Sequence, residues 1–171
     1  MDTKLMADDV ALAYRRAGFK VRTHPYFLTF PDIVLATLNT KAFAQVSTDT
    51  DSLFVMLQIN HRKQYGLFPV AEAGCGMKIT DLQNSYTFGE QDLVPSESIA
   101  GSGEAPSILA FPYTLAPGSR LRAEAIHLAG HNPGGTVFPN PDTTSITVTV
   151  TIVGVKLVTW PFTRQILMPE V

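Results

Sequence analysis

Residues 146–157 read Ile-Thr-Val-Thr-Val-Thr-Ile-Val-Gly-Val-Lys-Leu, and this alternation leaves little choice of backbone. Apolar and Thr residues exchange places with period two, the signature of a strand with one buried and one wet face. Thr is β-branched like Val and Ile, so both faces favour extended backbone. Upstream, Phe111-Pro112-Tyr113-Thr114-Leu115-Ala116-Pro117-Gly118-Ser119-Arg120-Leu121-Arg122-Ala123-Glu124-Ala125 reads as strand, turn, strand. Pro117 pre-sets φ and Gly118 tolerates positive φ. The expectation is that 111–157 forms the C-terminal heart of one antiparallel sheet, with no reacting group at its centre.

The rest of the chain supports an all-β fold. It has 171 residues, enough for one domain to bury a core without metals or disulfides. Charged residues make up only 16 %, below the roughly 25 % of an average globular protein. Such a low share fits a surface partly covered by neighbours. The 12 Gly and 12 Pro suit many strands joined by turns. A net charge of −2 argues against a nucleic-acid partner, which calls for a basic stripe. The acidic start Met1-Asp2-Thr3-Lys4 is unlike a signal peptide, and no apolar run has the roughly 20 residues of a membrane helix. Synthesis in the cytosol and no membrane association are therefore expected.

Residues 3–17 are the helix candidate. Met6, Val10, Ala13 and Ala17 share one face with Leu5 and Tyr14 beside them. Arg15 and Arg16 suit the C-terminal end of the helix dipole, and Gly18 supplies the stop. The helix either packs on its own domain or docks on a neighbouring subunit. From Val21 to Gln45 the chain reads as extended but broken by Pro25 and Pro31, with strands near 32–38 and 42–47. Leu53–Ile59 is a near-continuous apolar run expected to be buried on both faces. A weaker edge strand is expected over 65–70, a flexible loop over 71–76 and one more strand within 79–88. The segment 89–105 and the breaker-rich 130–143 read as long surface loops. The tail, with Trp160, Phe162, Ile166 and Leu167 between Pro161 and Pro169, cannot be a central strand and suits a segment laid across another surface. About seven or eight short strands give an antiparallel β-sandwich of jelly-roll type. The divisions are an N-terminal helix or arm (1–20), the sandwich (21–158) and an extended C-terminal tail (159–171).

Candidate chemistry is thin. His127 and His131 are four apart, but they leave a strand for a Gly/Pro loop, so their rings need not converge on a metal. Cys75 between two glycines has no evident cation or helix start to lower its pKa. Asp49 and Asp51 lack the Gly and Glu of a calcium loop. Gly101-Ser102-Gly103 lacks the strand–helix setting of a phosphate loop. Asp92, Glu97 and Glu104 sit in an expected loop that fixes no separation for glycoside hydrolysis. No catalytic group, cofactor or metal is expected. Arg120 and Arg122 alternate on one strand face with Glu124, either as a solvated face or as an intersubunit contact.

The run Phe111–Arg122, followed by Ile152-Val153-Gly154-Val155-Lys156-Leu157, resembles structural proteins of tailed bacteriophages. In those proteins a Pro-Tyr-x-Leu-x-Pro-Gly strand-turn-strand precedes a closing strand ending Gly-x-Lys-x. The similarity spans the last third of the chain. It implies a non-enzymatic β-sandwich virion protein, best matched to capsid decoration or cement proteins. Such a protein is a homotrimer on the capsid surface that contacts the major capsid protein. A head–tail joint or tail protein is the structural rival. A carbohydrate-binding jelly roll is the rival from another class, with Tyr86, Phe88, Phe138 or Trp160 as its platform. The expected interface residues are Met6, Val10, Tyr14, Arg120, Arg122, Trp160, Phe162, Ile166 and Leu167.

Overall fold

The computed structural model describes residues 3–17, 21–65, 68–69, 74–88, 93–101, 107–128 and 145–159. Its elements are α1 (Thr3–Arg16), β1 (Val21–Thr29), β2 (Ile33–Leu35), β3 (Lys41–Ser47), β4 (Ser52–Tyr65), β5 (Phe68–Pro69) and β6 (Cys75–Asp81). There follow β7 (Tyr86–Phe88), β8 (Val94–Pro95), α2 (Ser96–Ile99), β9 (Ser107–Leu115), β10 (Arg120–His127) and β11 (Ile146–Thr159). All named strand pairs are antiparallel.

Two sheets face each other. In the first, β11 lies between β4 and the edge formed by β1 and β2 end to end, and β4 carries β9 and β5 on its other side. In the second, the order is β3, β10, β6, with β7 and β8 sharing the far edge. Strands that share a column can be counted as one, and β5 as an extension of the β9 edge. The columns then run in chain order as 1-8-3-6 in one sheet and 2-7-4-5 in the other. Consecutive columns alternate between sheets through most of the chain, which is the wrapped Greek-key arrangement of a jelly roll. The expected sandwich is the fold.

That order corrects the expectation for 111–157. β9 and β11 belong to the first sheet and β10 to the second, so the Pro117–Gly118 turn is a corner between sheets, not a hairpin. Gly118 sits at φ +73, and its N–H donates to Asp49 O at 2.9 Å. Thr48 Oγ1 donates to Ala116 O at 3.0 Å. The two corners, 47–50 and 116–119, therefore tie each other down.

The core lies between the sheets, with Phe30, Ile33, Leu35, Phe54, Met56, Ile59, Met77, Ile79, Leu115, Leu121 and β11's Ile146, Val148, Val150 and Ile152 all buried. The small Ala123 and Ala125 of β10 are buried among them. A second, smaller cluster of Val55, Leu57, Val155 and Leu157 lies on the outer face of the first sheet, with Tyr14 of α1 packed on it. Gly154 and a bulge in β4 create this division. Val153 pairs with Gln58 but Gly154 pairs with Met56, which leaves Leu57 as the extra residue. Before the bulge, Phe54 and Met56 face the sandwich interior; after it Ile59, and with it His61 and Lys63, do so.

Several boundaries differ from expectation for identifiable reasons. β1 runs unbroken through Pro25, because it is an edge strand whose ladder faces only β11. β5 is a two-residue edge piece pairing Gln64 with Pro69. Cys75 opens strand β6 instead of sitting in a loop, and 79–88 holds the end of β6, a turn and β7. The expected loop 89–105 contains an ordered strap over 93–101, in which Ser96, Ile99 and Ala100 are buried. Residues 130–143 and the tail from Trp160 lie outside the described residues.

α1 lies against β1, β4 and β11 of its own chain, and Tyr14 Oη is 3.5 Å from Thr114 Oγ1. Because its apolar seat is separate from the main core, deleting residues 1–18 is expected to leave the sandwich folded but less stable, with Val55 and Leu57 exposed. Circular dichroism and thermal melting check this; loss of the β spectrum at 25 °C would show that the helix is needed for folding.

Candidate functional site: outward-facing side chains and a buried polar cluster

The outer faces and edges carry several large exposed apolar side chains. Phe27 is 64 % exposed on edge strand β1 and Phe43 is 58 % exposed on edge strand β3. Val34 is exposed on β2, and Phe111 is 84 % exposed on β9. Phe111 is raised by an irregularity in pairing: β9 meets β4 at Tyr113↔Met56 and again at Ile108↔Gln58, and the chain around Pro112 bows out between them. Phe27 and Phe43 follow from strand alternation, being flanked by inward Leu28 and Ala44.

Arg122 and Arg120 lie on the outer face of the second sheet, alternating with inward Leu121 and Ala123. Arg120 is exposed. Arg122 places its guanidinium 4.2 Å from the centre of the Phe43 ring, a cation–π contact. Its Nε lies 2.9 Å from Glu124 Oε1 as an ion pair without aligned hydrogen-bond geometry. Lys78 on β6 reaches Glu124 Oε2 at 3.4 Å. Phe43, Arg122, Glu124 and Lys78 therefore form one strip across β3, β10 and β6. Half-exposed pairs of this kind add little to stability by themselves. Tyr14 is turned onto its own sheet. The side chains of Met6 and Val10, and Trp160, Phe162, Ile166 and Leu167 altogether, fall outside the description.

One open edge of the sandwich is closed by aromatics. Tyr86 stacks on Tyr113 with centroids 5.0 Å apart and planes at 17°, and Phe88 meets both rings edge-on. Tyr113 comes from the first sheet and donates its hydroxyl to Asp81 Oδ2 of the second at 2.9 Å. Asp81 is fully buried. It also accepts from Asn84 Nδ2 at 2.7 Å and from the Gln83 N–H at 2.9 Å. Burial, followed by this hydrogen bond to a carboxylate, pushes the Tyr113 phenol above its usual value. Tyr86 keeps 49 % of its surface exposed. Phe138 and Trp160 lie outside the described residues.

Inside the other end of the sandwich is a polar cluster. Lys63 has only 2 % of its side chain exposed and forms an ion pair with Glu97, 56 % exposed, on α2. His61, two residues before Lys63 on the same inward face, has Nε2 3.3 Å from Ser96 Oγ. Burial first, then the Lys63 charge, lowers the His61 pKa, against the opposing pull of Glu97 and the Ala100 and Gly101 backbone. Glu97 therefore pairs with Lys63, while at 3.9 Å the neutral imidazole is no salt-bridge partner. Burial is the largest single influence and works against the Glu97 charge, but the hydrogen bond from Lys63, its own backbone N–H, the Lys63 charge and the Ser96 side chain together hold the carboxyl below its usual range.

The Ser96–His61 pair has the outline of a nucleophile and base, but lacks their working geometry. Ser96 is fully buried. The acid approaches Nε2, the same nitrogen that meets the serine, while Nδ1 is buried with no hydrogen-bond partner. An orienting carboxylate must hold the opposite nitrogen. Cys75 is buried nearby, and burial pushes its thiol up to about 11, so it is not a ready nucleophile. His127 is buried in β10, in register with Cys75, and His131 is outside the description. Among the described residues no three His, Cys, Asp or Glu side chains gather as a metal site, and no helix is long and apolar enough to cross a membrane. Asp49 is an ion-pair partner of Lys156.

No protein-family model matches the sequence, and no curated protein matches it. Among solved structures the chain is similar to a structure of infectious bursal disease virus, Gx strain, at 12 % identity and a TM-score of 0.31, covering 86 % of this chain and 44 % of that one. It is similar also to the VP2 subviral particle of infectious bursal disease virus at 14 % identity and a TM-score of 0.30, again covering 86 % and 44 %. The chain thus spans less than half the length of the solved chains it matches.

Proposed function

We propose that this chain is a non-enzymatic structural subunit of a viral particle, and specifically a decoration or cement protein of a tailed-phage head. In this reading it self-associates as a homotrimer on the capsid surface and contacts the major capsid protein. The observation that carries the reading is the set of apolar side chains raised on the edges of both sheets, Phe27, Val34, Phe43 and Phe111. Exposed aromatics beside Arg are what protein interfaces select. The mechanism is adhesive: a rigid sandwich buries these side chains against neighbours at about 25 cal/mol per Å² of apolar area. Many symmetry-related copies then add weak contacts into a strong lattice.

Native mass spectrometry tests the self-association. A trimer is expected, and Phe43→Ser should weaken it by about 2 kcal/mol, roughly 30-fold in dissociation constant. A strict monomer that does not sediment with capsids would overturn the reading. A copy number of about six to twelve per particle, instead of hundreds, would move the protein to the head–tail joint.

A second reading rests on Tyr86, an exposed ring held rigid by Tyr113 and Phe88, which suits stacking on a sugar in a carbohydrate-binding jelly roll. A glycan array with Tyr86→Ala as control decides it: binding lost in the variant supports a lectin, and an array without hits removes that reading.

A further inference from the structure

Among the described residues the strap over 93–101 is hydrogen-bonded to the strands at its two ends, and a titratable side chain lies under it. β8 contributes only two paired residues, Val94 and Pro95 against Met77 and Gly76. Beyond α2, Gly101 bridges to β4, with the His61 N–H donating to Gly101 O at 2.8 Å and the Gly101 N–H donating to Ile59 O at 3.0 Å. Between these fastenings, Ser96 and Glu97 of the strap meet His61 and Lys63 of β4. The same strand residue, His61, thus holds the strap through its backbone and touches it through its ring.

We infer that the strap is an acid-opened latch, released when His61 takes up a proton beneath it. The groups facing the ring are Lys63 on its own strand and Glu97 on α2. On the facing sheet, Cys75 of β6 and His127 of β10, in register with each other, are buried. Protonation puts a second positive charge beside the buried Lys63 ammonium, with Glu97 as the carboxylate between them. It also charges a buried ring, a cost that the Ala100 and Gly101 backbone offsets only in part. Both effects disfavour the closed strap. Lifting the strap returns the imidazole to water and to its ordinary value of 6.5.

The sign follows from linkage. The closed form holds the proton less well than the open form, so the open fraction rises as pH falls through 6.5. One such group can raise the open fraction by up to about 30-fold between about pH 7.5 and about pH 5. Glu97, held low by Lys63, acts in the same direction only at more acid pH.

Cys75, the single cysteine of the chain, is buried beside the strap and reports its opening. The experiment measures labelling of Cys75 in the full chain by 4,4′-dithiodipyridine, normalised at each pH to the urea-unfolded chain. Backbone amide exchange is followed in parallel. The normalised rate is expected to rise at least tenfold from about pH 7.5 to about pH 5, with amide protection lost at His61, Ala100 and Gly101 but kept along β10. His61→Gln should abolish the rise. Glu97→Gln, which keeps the size of the side chain but removes the counter-charge of the buried Lys63, should raise labelling at every pH while keeping the acid dependence. Labelling independent of pH would overturn the proposal, as would an acid response that survives in His61→Gln or vanishes in Glu97→Gln. Simultaneous loss of protection along β10 would do so too, since that is global unfolding.

Discussion

Replacing Gly154 with alanine is expected to destabilise the protein by about 3 kcal/mol or more, lowering the melting temperature by roughly 10 °C for a chain of this size. A Cβ at that position would lie 2.2 Å from the Val55 carbonyl oxygen and 2.7 Å from Cζ of the Phe54 ring. The first obstacle is backbone and cannot swing away. The Phe54 ring is itself fixed between the sheets, edge-on to Tyr26 at 5.7 Å. Relief would require β4 and β11 to separate at the bulge that sets which side chains face inward. Gly76→Ala is the informative contrast. Its nearest obstacle is the Ile126 Cγ2 methyl at 2.7 Å, a side-chain atom that can yield only by a change of a stiff β-branched χ1, so about 2 kcal/mol is expected, less than where backbone stands in the way. Urea denaturation of both variants checks the pair; equal losses would show that the bulge is not the constraint.

The second large effect is expected at Asp81. Truncation to alanine removes the acceptor shared by the Tyr113 hydroxyl, the Asn84 amide and the Gln83 N–H. Buried donors left without an acceptor cost about 1–3 kcal/mol each where water cannot reach them. A total of about 3 kcal/mol is expected, since the turn donors can be partly rehydrated. Tyr113→Phe, which removes only the bond across the sheets, should cost about 1 kcal/mol. A double-mutant cycle measures their coupling. Strict additivity would mean that the hydroxyl and carboxylate do not act together in closing that edge.

Much of this fold was legible because its signals are local. The Thr–Val alternation of 146–157 identified β11, and helical spacing with Arg15 and Arg16 at the end identified α1. What the sequence concealed depended on pairing partners. Pro25 argues against a strand until β1 is known to lie at an edge. The 111–125 run looks like a hairpin until Gly118 and Thr48 are seen tying a corner between sheets.

The polar cluster was hidden by one residue. Uninterrupted alternation from Phe54 and Met56 would turn Asn60, Arg62 and Gln64 inward and leave His61 and Lys63 in water. The extra residue at Leu57 reverses that parity. Glu97 reads as part of a surface loop because Gly, Ser, Pro and acid dominate its neighbourhood. Its partner is more than thirty positions away on β4, beyond any window of local pattern. The surface strip was half legible. Arg120, Arg122 and Glu124 announced an outer face, whereas the contact with Phe43 depends on the register of β3 against β10.

An electron cryomicroscopy map of the particle from which the chain comes tests the adhesive role most directly. On the proposed role, many symmetry-related copies of this jelly roll are expected on the outer surface of the head, in threefold clusters whose contacts include Phe43 or Phe27. A particle lacking the chain altogether, or copies whose edge phenylalanines all face open solvent, would contradict it.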